Sequence, residues 1–187
     1  MQAQGQEQAI VVSVQRDDFD IGKQQAALLD QAAAGGRAVQ TGALASFVGL
    51  VRADSADSAD SADSAEPGEL AQGGTTLGLG KLKALHVEHY PAMTEAAIRQ
   101  LCEKALVKWQ LVGCRVIHRV GTIPLGGQIV LVMVLAAHRK EAFAGCEFII
   151  DYLKTSAPFW KKAQFEQGEH WVEARASDAL KAAQWQV

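Results

Sequence analysis

Asp151 to Lys162 reads DYLKTSAPFWKK, which sets Lys154, Lys161 and Lys162 around Pro158 with Phe159 and Trp160 beside them. If these lysines converge, their like charges repel and the aromatic neighbours strip water from the amines. Both effects favour the neutral amine and lower its pKa. From an ordinary value of about 10.4, a fall of a few units lets a lysine act as base or nucleophile near neutral pH. A cluster of this kind also suits an anionic ligand. The plainer alternative is a solvated helix end whose lysines complement the helix dipole.

Other residues could hold an anion. His138 and Arg139 lie where an apolar strand gives way to a helix, so their side chains and the free N–H groups of the first turn could hold a phosphate. The alternative is a pair of structural hydrogen bonds at a helix start. Arg52 ends FVGLVR at an expected strand end, where a guanidinium can take phosphate bidentately or form a surface ion pair. His118 and Arg119 alternate on a strand, so at most one faces a given pocket, and core or surface roles are expected for both. His86 and His89 flank Glu88 without a third ligand at a zinc spacing, and no metal site is expected. Cys102, Cys114 and Cys146 are an odd number with no CxxC pair. They fit neither a disulfide framework nor a zinc centre and are assigned to core packing.

The elements that must position these groups alternate irregularly. Residues 9 to 14 read as a strand, 20 to 33 as a helix stopped by Gly35 and Gly36, and Ala38 to Arg52 as a loosely alternating strand. Lys81 to Tyr90 is strand-like. A helix is expected from about Thr94 to Gln110, with Leu101, Ala105 and Trp109 as a buried stripe. Cys114 to Val120 is a strand, GTIPLGG a turn, and Ile129 to Ala137 an unbroken apolar run that fits a strand covered on both faces. A helix follows from about Arg139 with Phe143, Cys146, Ile150 and Leu153 on one side. It ends near Ser156, because Pro158 disfavours helix at the preceding residue. PFWKKAQFE and HWVEAR are strand-like and lead to a short C-terminal helix. Strands and helices mix without regular βαβ order, so the class is α+β.

Between these elements, ADSADSADSADSA opens a low-complexity insertion over residues 53–78, expected to be a solvated loop. Its evenly spaced acids lack the ligand and glycine pattern of a calcium loop. With 187 residues, 49% hydrophobic and 21% charged, the chain fits a single domain spanning 1–187. A net charge of −3 argues against a general nucleic-acid binder. The N-terminal MQAQGQEQAIVVSVQ lacks the form of a leader, and no apolar run is long enough to span a membrane. A cytoplasmic protein is expected.

The ordered set FVGLVR, VEHYPAMTE, VIHRVG, AAHR, DYLKTSAPFWKK and WVEAR resembles the catalytic large subunit of molybdopterin synthase, the MoaE family. The resemblance covers roughly residues 40 to 185 apart from the insertion. It implies an α/β-hammerhead fold with an added antiparallel β-rich subdomain. The implied reaction is transfer of two sulfurs from the C-terminal Gly-Gly thiocarboxylate of a small ubiquitin-like carrier to cyclic pyranopterin monophosphate, forming a dithiolene. No metal and no cofactor of its own is implied, and the assembly is a homodimer of this chain within a heterotetramer. Lys154 and Lys161 match the family's lysines implicated in sulfur transfer. Arg52, His138, Arg139, Lys162 and Arg175 match or adjoin its anion-binding positions.

Two departures stand out. Leu50 replaces a lysine common in relatives, and Ala163 replaces an acid, whose role would be absent or filled elsewhere, as by Glu166. They and the acidic insertion also admit an impaired relative that only docks carrier or pterin. A different enzyme on the same scaffold, acting on another phosphorylated ligand, is the third reading. Arg139 and Lys154 are 15 residues apart, about 22 Å along a straight helix. The expectation is therefore that each site combines Lys154, Lys161 and Arg52 of one subunit with His138 and Arg139 of another.

Overall fold

The computed structural model describes residues 9–52, 79–155, 157–172 and 184–185. The segment 53–78, Arg175 and the expected C-terminal helix lie outside them. The described elements are β1 (Ile10–Gln15), α1 (Ile21–Ala34), a 3₁₀ turn (Ala38–Gln40), β2 (Ala43–Leu50), β3 (Leu82–His89) and α2 (Pro91–Trp109). After these come β4 (Gly113–Arg119), β5 (Gly121–Pro124), β6 (Gln128–Ala136), α3 (Arg139–Thr155), β7 (Phe159–Phe165) and β8 (Gly168–Val172). The class is α+β, as the sequence predicts.

Two sheets of four strands form. The first runs β1-β4-β6-β2, with β1 parallel to β4 and the other pairings antiparallel. The second, β5-β3-β7-β8, is wholly antiparallel and corresponds to the expected β-rich addition. Alternation along β6 explains its apolar run. Val132, Val134 and Ala136 enter the core shared with α2 and α3, while Leu131, Met133 and Leu135 pack with Leu28 and Ala32 of α1 on the opposite face. A third core under the second sheet joins Leu85, Val87, Ile123 and Ala163 to Val51.

Local chemistry sets the helix limits. The Asp20 carboxylate caps α1 by accepting the Lys23 N–H at 2.9 Å. Pro91 begins α2 one turn earlier than expected, because a first-turn proline sacrifices no helical hydrogen bond. Leu101 and Ala105 are buried on that helix as predicted. On α3 the buried set is Ala142, Gly145, Cys146, Phe148, Ile149 and Leu153. Cys146 and Leu153 are buried as expected, but Phe143 is 65% exposed, because the packing face passes through Ala142 one residue earlier. Gly145 lets α3 approach closely, since a Cβ there would meet Leu111 at 2.9 Å.

Two other expectations are corrected. The strand expected from Ala38 opens as a 3₁₀ turn, and pairing starts at Ala43. GTIPLGG is not wholly a turn, because its first residues form β5 against β3 before reversing through Gly126, whose φ is +79°.

Candidate active site

The C-terminal end of α3, the end of β2 and the start of β7 enclose a cavity of about 660 Å³. Its cationic lining is Arg52, Lys154 and Lys161, and no carboxylate lines it among the described residues. Of the three lysines near the helix end, Lys154 and Lys161 line it and Lys162 does not.

Each cation is placed by a local device. Lys154 is in the last turn of α3, one turn beyond Ile150, which lines the same cavity. Pro158 then breaks the helix, and its carbonyl accepts a hydrogen bond from the buried Thr94 hydroxyl at 3.3 Å. That hydroxyl also donates to the Tyr90 carbonyl at 2.8 Å, so the start of α2 pins the corner from which β7 leaves. β7 runs back beside β3 with Lys161 opposite Val87, which brings Lys161 to the cavity that Lys154 enters from the helix.

Arg52 follows an irregularity between Gly49 and Leu50, where β2 slips register against β6. A Cβ at Gly49 would lie 2.8 Å from Val130, so this crossing requires glycine. Val51 is buried and held through its N–H to the Gly127 carbonyl (2.9 Å) and its carbonyl to the Gly126 N–H (2.8 Å). The next residue, Arg52, is thereby fixed at the cavity rim. Phe47, Leu50 and Phe159 supply apolar wall.

Lys162 points to the other face of β7. Its ammonium lies 3.3 Å from the Glu169 carboxylate and 4.6 Å from the Trp171 ring centre. The Glu169 carboxyl is held below its usual pKa by hydrogen bonds from Gln164 and Lys162. His138 and Arg139 are exposed at the opposite end of α3 and do not line the cavity. Glu141 stands in that first turn, where a carboxylate complements the helix dipole. Glu166, considered as a substitute for the acid missing at Ala163, instead accepts the Lys81 N–H at 3.3 Å near the sheet end. Ala163 itself is buried in the third core.

The cavity wall also includes His118, which the sequence assigns to the core or surface. It is 4% exposed, and its ring lies on Phe159 with centroids 3.8 Å apart and planes 17° from parallel. Nδ1 donates to the Arg119 carbonyl at 2.8 Å. Burial pushes the imidazole from 6.5 down to about 3, with the nearby Lys161 charge acting in the same direction, so the ring is neutral at working pH. The signal was the alternation Cys114, Val116, His118, which continues a fully buried face to the end of β4. Arg119 faces elsewhere, 3.3 Å from Asp18 and donating to the Gln128 carbonyl at 3.0 Å.

The three cysteines are buried and unpaired. Burial raises the Cys146 thiol to about 11, and a hydrogen bond with Cys102 together with burial raises Cys114. Neither is a thiolate at neutral pH. No group of His, Cys, Asp and Glu suited to a metal occurs among the described residues.

Residues 74–156 match the model of the MoaE protein family. Over 175 residues the chain is 41% identical to the molybdopterin synthase catalytic subunit of Vibrio cholerae, spanning 94% of this chain and 97% of that protein. This chain belongs to the MoaE family. The MoaE protein of Burkholderia ambifaria, solved as a molybdopterin biosynthesis protein, matches at 38% identity and a TM-score of 0.68 over 95% of this chain and 99% of that one. More distantly, a complex of subunits 1 and 2 of molybdopterin-converting factor from Helicobacter pylori shares the fold, at 20% identity and TM-score 0.61 over 88% and 91% of the chains. Membership of the MoaE family accounts for the two sheets. Among the described residues, no helix is long and apolar enough to cross a membrane.

Proposed function

We propose that this MoaE-family chain is the catalytic subunit of a molybdopterin synthase. It moves two sulfurs, one from each of two thiocarboxylated carrier molecules, to cyclic pyranopterin monophosphate, and water leaves each Gly-Gly tail as an ordinary carboxylate. The observation that carries this reading is the convergence of Lys154, Lys161 and Arg52 on one cavity. An anionic precursor and an anionic thiocarboxylate both gain from such a lining.

The chain's own part is electrostatic and acid–base. The nucleophilic sulfur belongs to the carrier, so no thiol of this chain need react, in keeping with its buried cysteines. Lys154 and Lys161 act as the catalytic pair. They stabilise negative charge as sulfur adds to the pterin and move protons to and from the oxygen that leaves. Arg52 holds phosphate. The partly exposed apolar wall at Phe47 and Leu50 offers a path for the narrow glycine tail.

His138 and Arg139 complete the site from a second subunit. One chain holds them at the far end of α3 from Lys154, about 22 Å along the helix axis. A homodimer bearing a carrier at each end gives two such sites, and Arg175 joins the anion pocket. The fold known from the two-subunit Helicobacter pylori complex supports a carrier-bound assembly. A single domain over 1–187 in the cytoplasm completes the proposal.

The test is conversion of the cyclic precursor by purified protein with a thiocarboxylated carrier. Dithiolene product that appears with this carrier, and not with one ending in an ordinary carboxylate, supports the reading. Carrier-bound protein that forms no product would overturn it in favour of a docking protein.

A further inference from the structure

Among the described residues, His118 is the one in the cavity wall that carries a ring nitrogen, and its setting is constrained. Above it lies Phe159, stacked at 3.8 Å, which is two residues before Lys161 on the same face of β7. Its Nδ1 is committed as a donor to the Arg119 carbonyl at 2.8 Å. That bond fixes the tautomer, so Nε2 is the nitrogen with a lone pair left to serve a group in the cavity. Lys161 lines the same cavity, and its charge acts on the imidazole.

We infer that His118 is a positioning residue for Lys161: the stacked ring offers Nε2 as a fixed hydrogen-bond acceptor that aims the lysine ammonium at the reacting centre.

The arrangement suits that task for a physical reason. A mobile lysine loses side-chain entropy each time it adopts a reactive rotamer, and a rigid acceptor lowers that cost. An imidazole that stays neutral accepts from the ammonium at every working pH and never adds a competing positive charge. The charged and titratable groups around the ring are Lys161 on β7, Lys154 on α3, Arg52 after β2, and His89 on β3, whose ring lies 6.4 Å from Phe159. Burial and the Lys161 charge outweigh the Arg119 carbonyl, which alone among the causes of the shift favours an imidazolium.

The inference rests on the sulfur-transfer reading of the cavity, and its test includes a measurement independent of turnover. Protein labelled with ¹³Cε-lysine, with the Lys161 signal assigned through Lys161→Arg, is titrated as wild type and as His118→Phe, His118→Asn and His118→Gln. Asparagine can keep the donor to Arg119 but lacks an acceptor at the Nε2 position, whereas glutamine can place its carbonyl there. The expected result is a Lys161 signal that titrates at lower pH in the Phe and Asn variants, because an ammonium without its acceptor deprotonates more readily. Glutamine restores the wild-type midpoint.

In single-turnover sulfur transfer, the Phe and Asn variants lose about 10-fold or more in rate with precursor affinity nearly unchanged, and glutamine recovers most of it. A Lys161 titration identical in wild type, Phe and Asn proteins would overturn the inference, whatever the activity. So would equal rate losses in the Gln and Asn proteins. A wild type that makes no product at all would refute the sulfur-transfer reading instead, leaving the titration to decide the His118–Lys161 relationship. Should the Phe protein not fold, the Asn and Gln pair decides both measurements.

Discussion

Lys161 and Lys162 are neighbours in sequence but face opposite sides of β7. Lys161 lines the cationic cavity, while Lys162 sits 3.3 Å from Glu169 and over the Trp171 ring. Strand alternation alone produces this division. Lys161→Ala is therefore expected to slow single-turnover sulfur transfer about 100-fold or more, the range for losing a positioned proton-transfer group. Lys162→Ala should leave the rate within about 3-fold. It should cost about 1 kcal/mol or less of stability, because its ion pair is partly exposed. Similar rate losses for both variants, measured by rapid quench, would place the working lysine elsewhere.

The proposed sharing of the site between subunits has a quantitative consequence. A dimer of one Lys154→Ala chain and one Arg139→Ala chain contains one site missing both groups and one site missing neither. Purified heterodimers should recover about half of the wild-type rate, although each parent homodimer is nearly inactive. Heterodimers no faster than the parents would mean that Arg139 and Lys154 do not meet across an interface.

His118 makes stability depend on pH. Its folded pKa, about 3, is far below the ordinary 6.5, so between these values the unfolded chain binds a proton that the native protein refuses. The stabilisation is complete above about pH 6.5 and is lost as pH falls toward 3. The slope approaches about 1.4 kcal/mol per pH unit for this one group. Urea unfolding at pH 7 and pH 5 should show wild type losing more stability than His118→Phe. Equal losses would mean that the imidazole is charged or solvated in the native protein.

Leu50 is 53% exposed at the cavity wall. Leu50→Lys adds a cation without burying it. The variant is expected to bind the anionic precursor several-fold more tightly at low salt, an advantage that shrinks as salt screens it. Isothermal titration at two ionic strengths checks this. Unchanged affinity at both would remove Leu50 from the binding surface.

Much of this arrangement was legible in the sequence because it rests on local rules. The apolar run in β6 announced a strand covered on both faces, and Pro158 announced the end of α3. Features decided by tertiary packing were less legible. Phe143 fits a helical stripe by spacing, yet Ala142 takes its place in the core while Cys146 and Leu153 of the same stripe are buried. GTIPLGG reads as a turn because glycine and proline punctuate it, but pairing with β3 draws its first residues into a strand.

The candidate site divides in the same way. Lys154 and Lys161 could be singled out by type and resemblance. Their meeting depends on the reversal at Pro158 and the Thr94 hydrogen bonds, which no spacing rule encodes. His118 reads from the sequence as a core or surface residue, and it is indeed buried. Only the position of β4's end beside β7 makes it part of a cavity wall.

The central claim, sulfur transfer at a lysine-lined cavity, is tested most directly by one single-turnover comparison. Wild type and Lys154→Ala, each supplied with at least two equivalents of thiocarboxylated carrier per precursor, are mixed with limiting cyclic pterin precursor. The account predicts dithiolene product from wild type, with a rate about 100-fold or more lower in the variant despite unchanged carrier binding. A Lys154→Ala protein that turned over at the wild-type rate would contradict it.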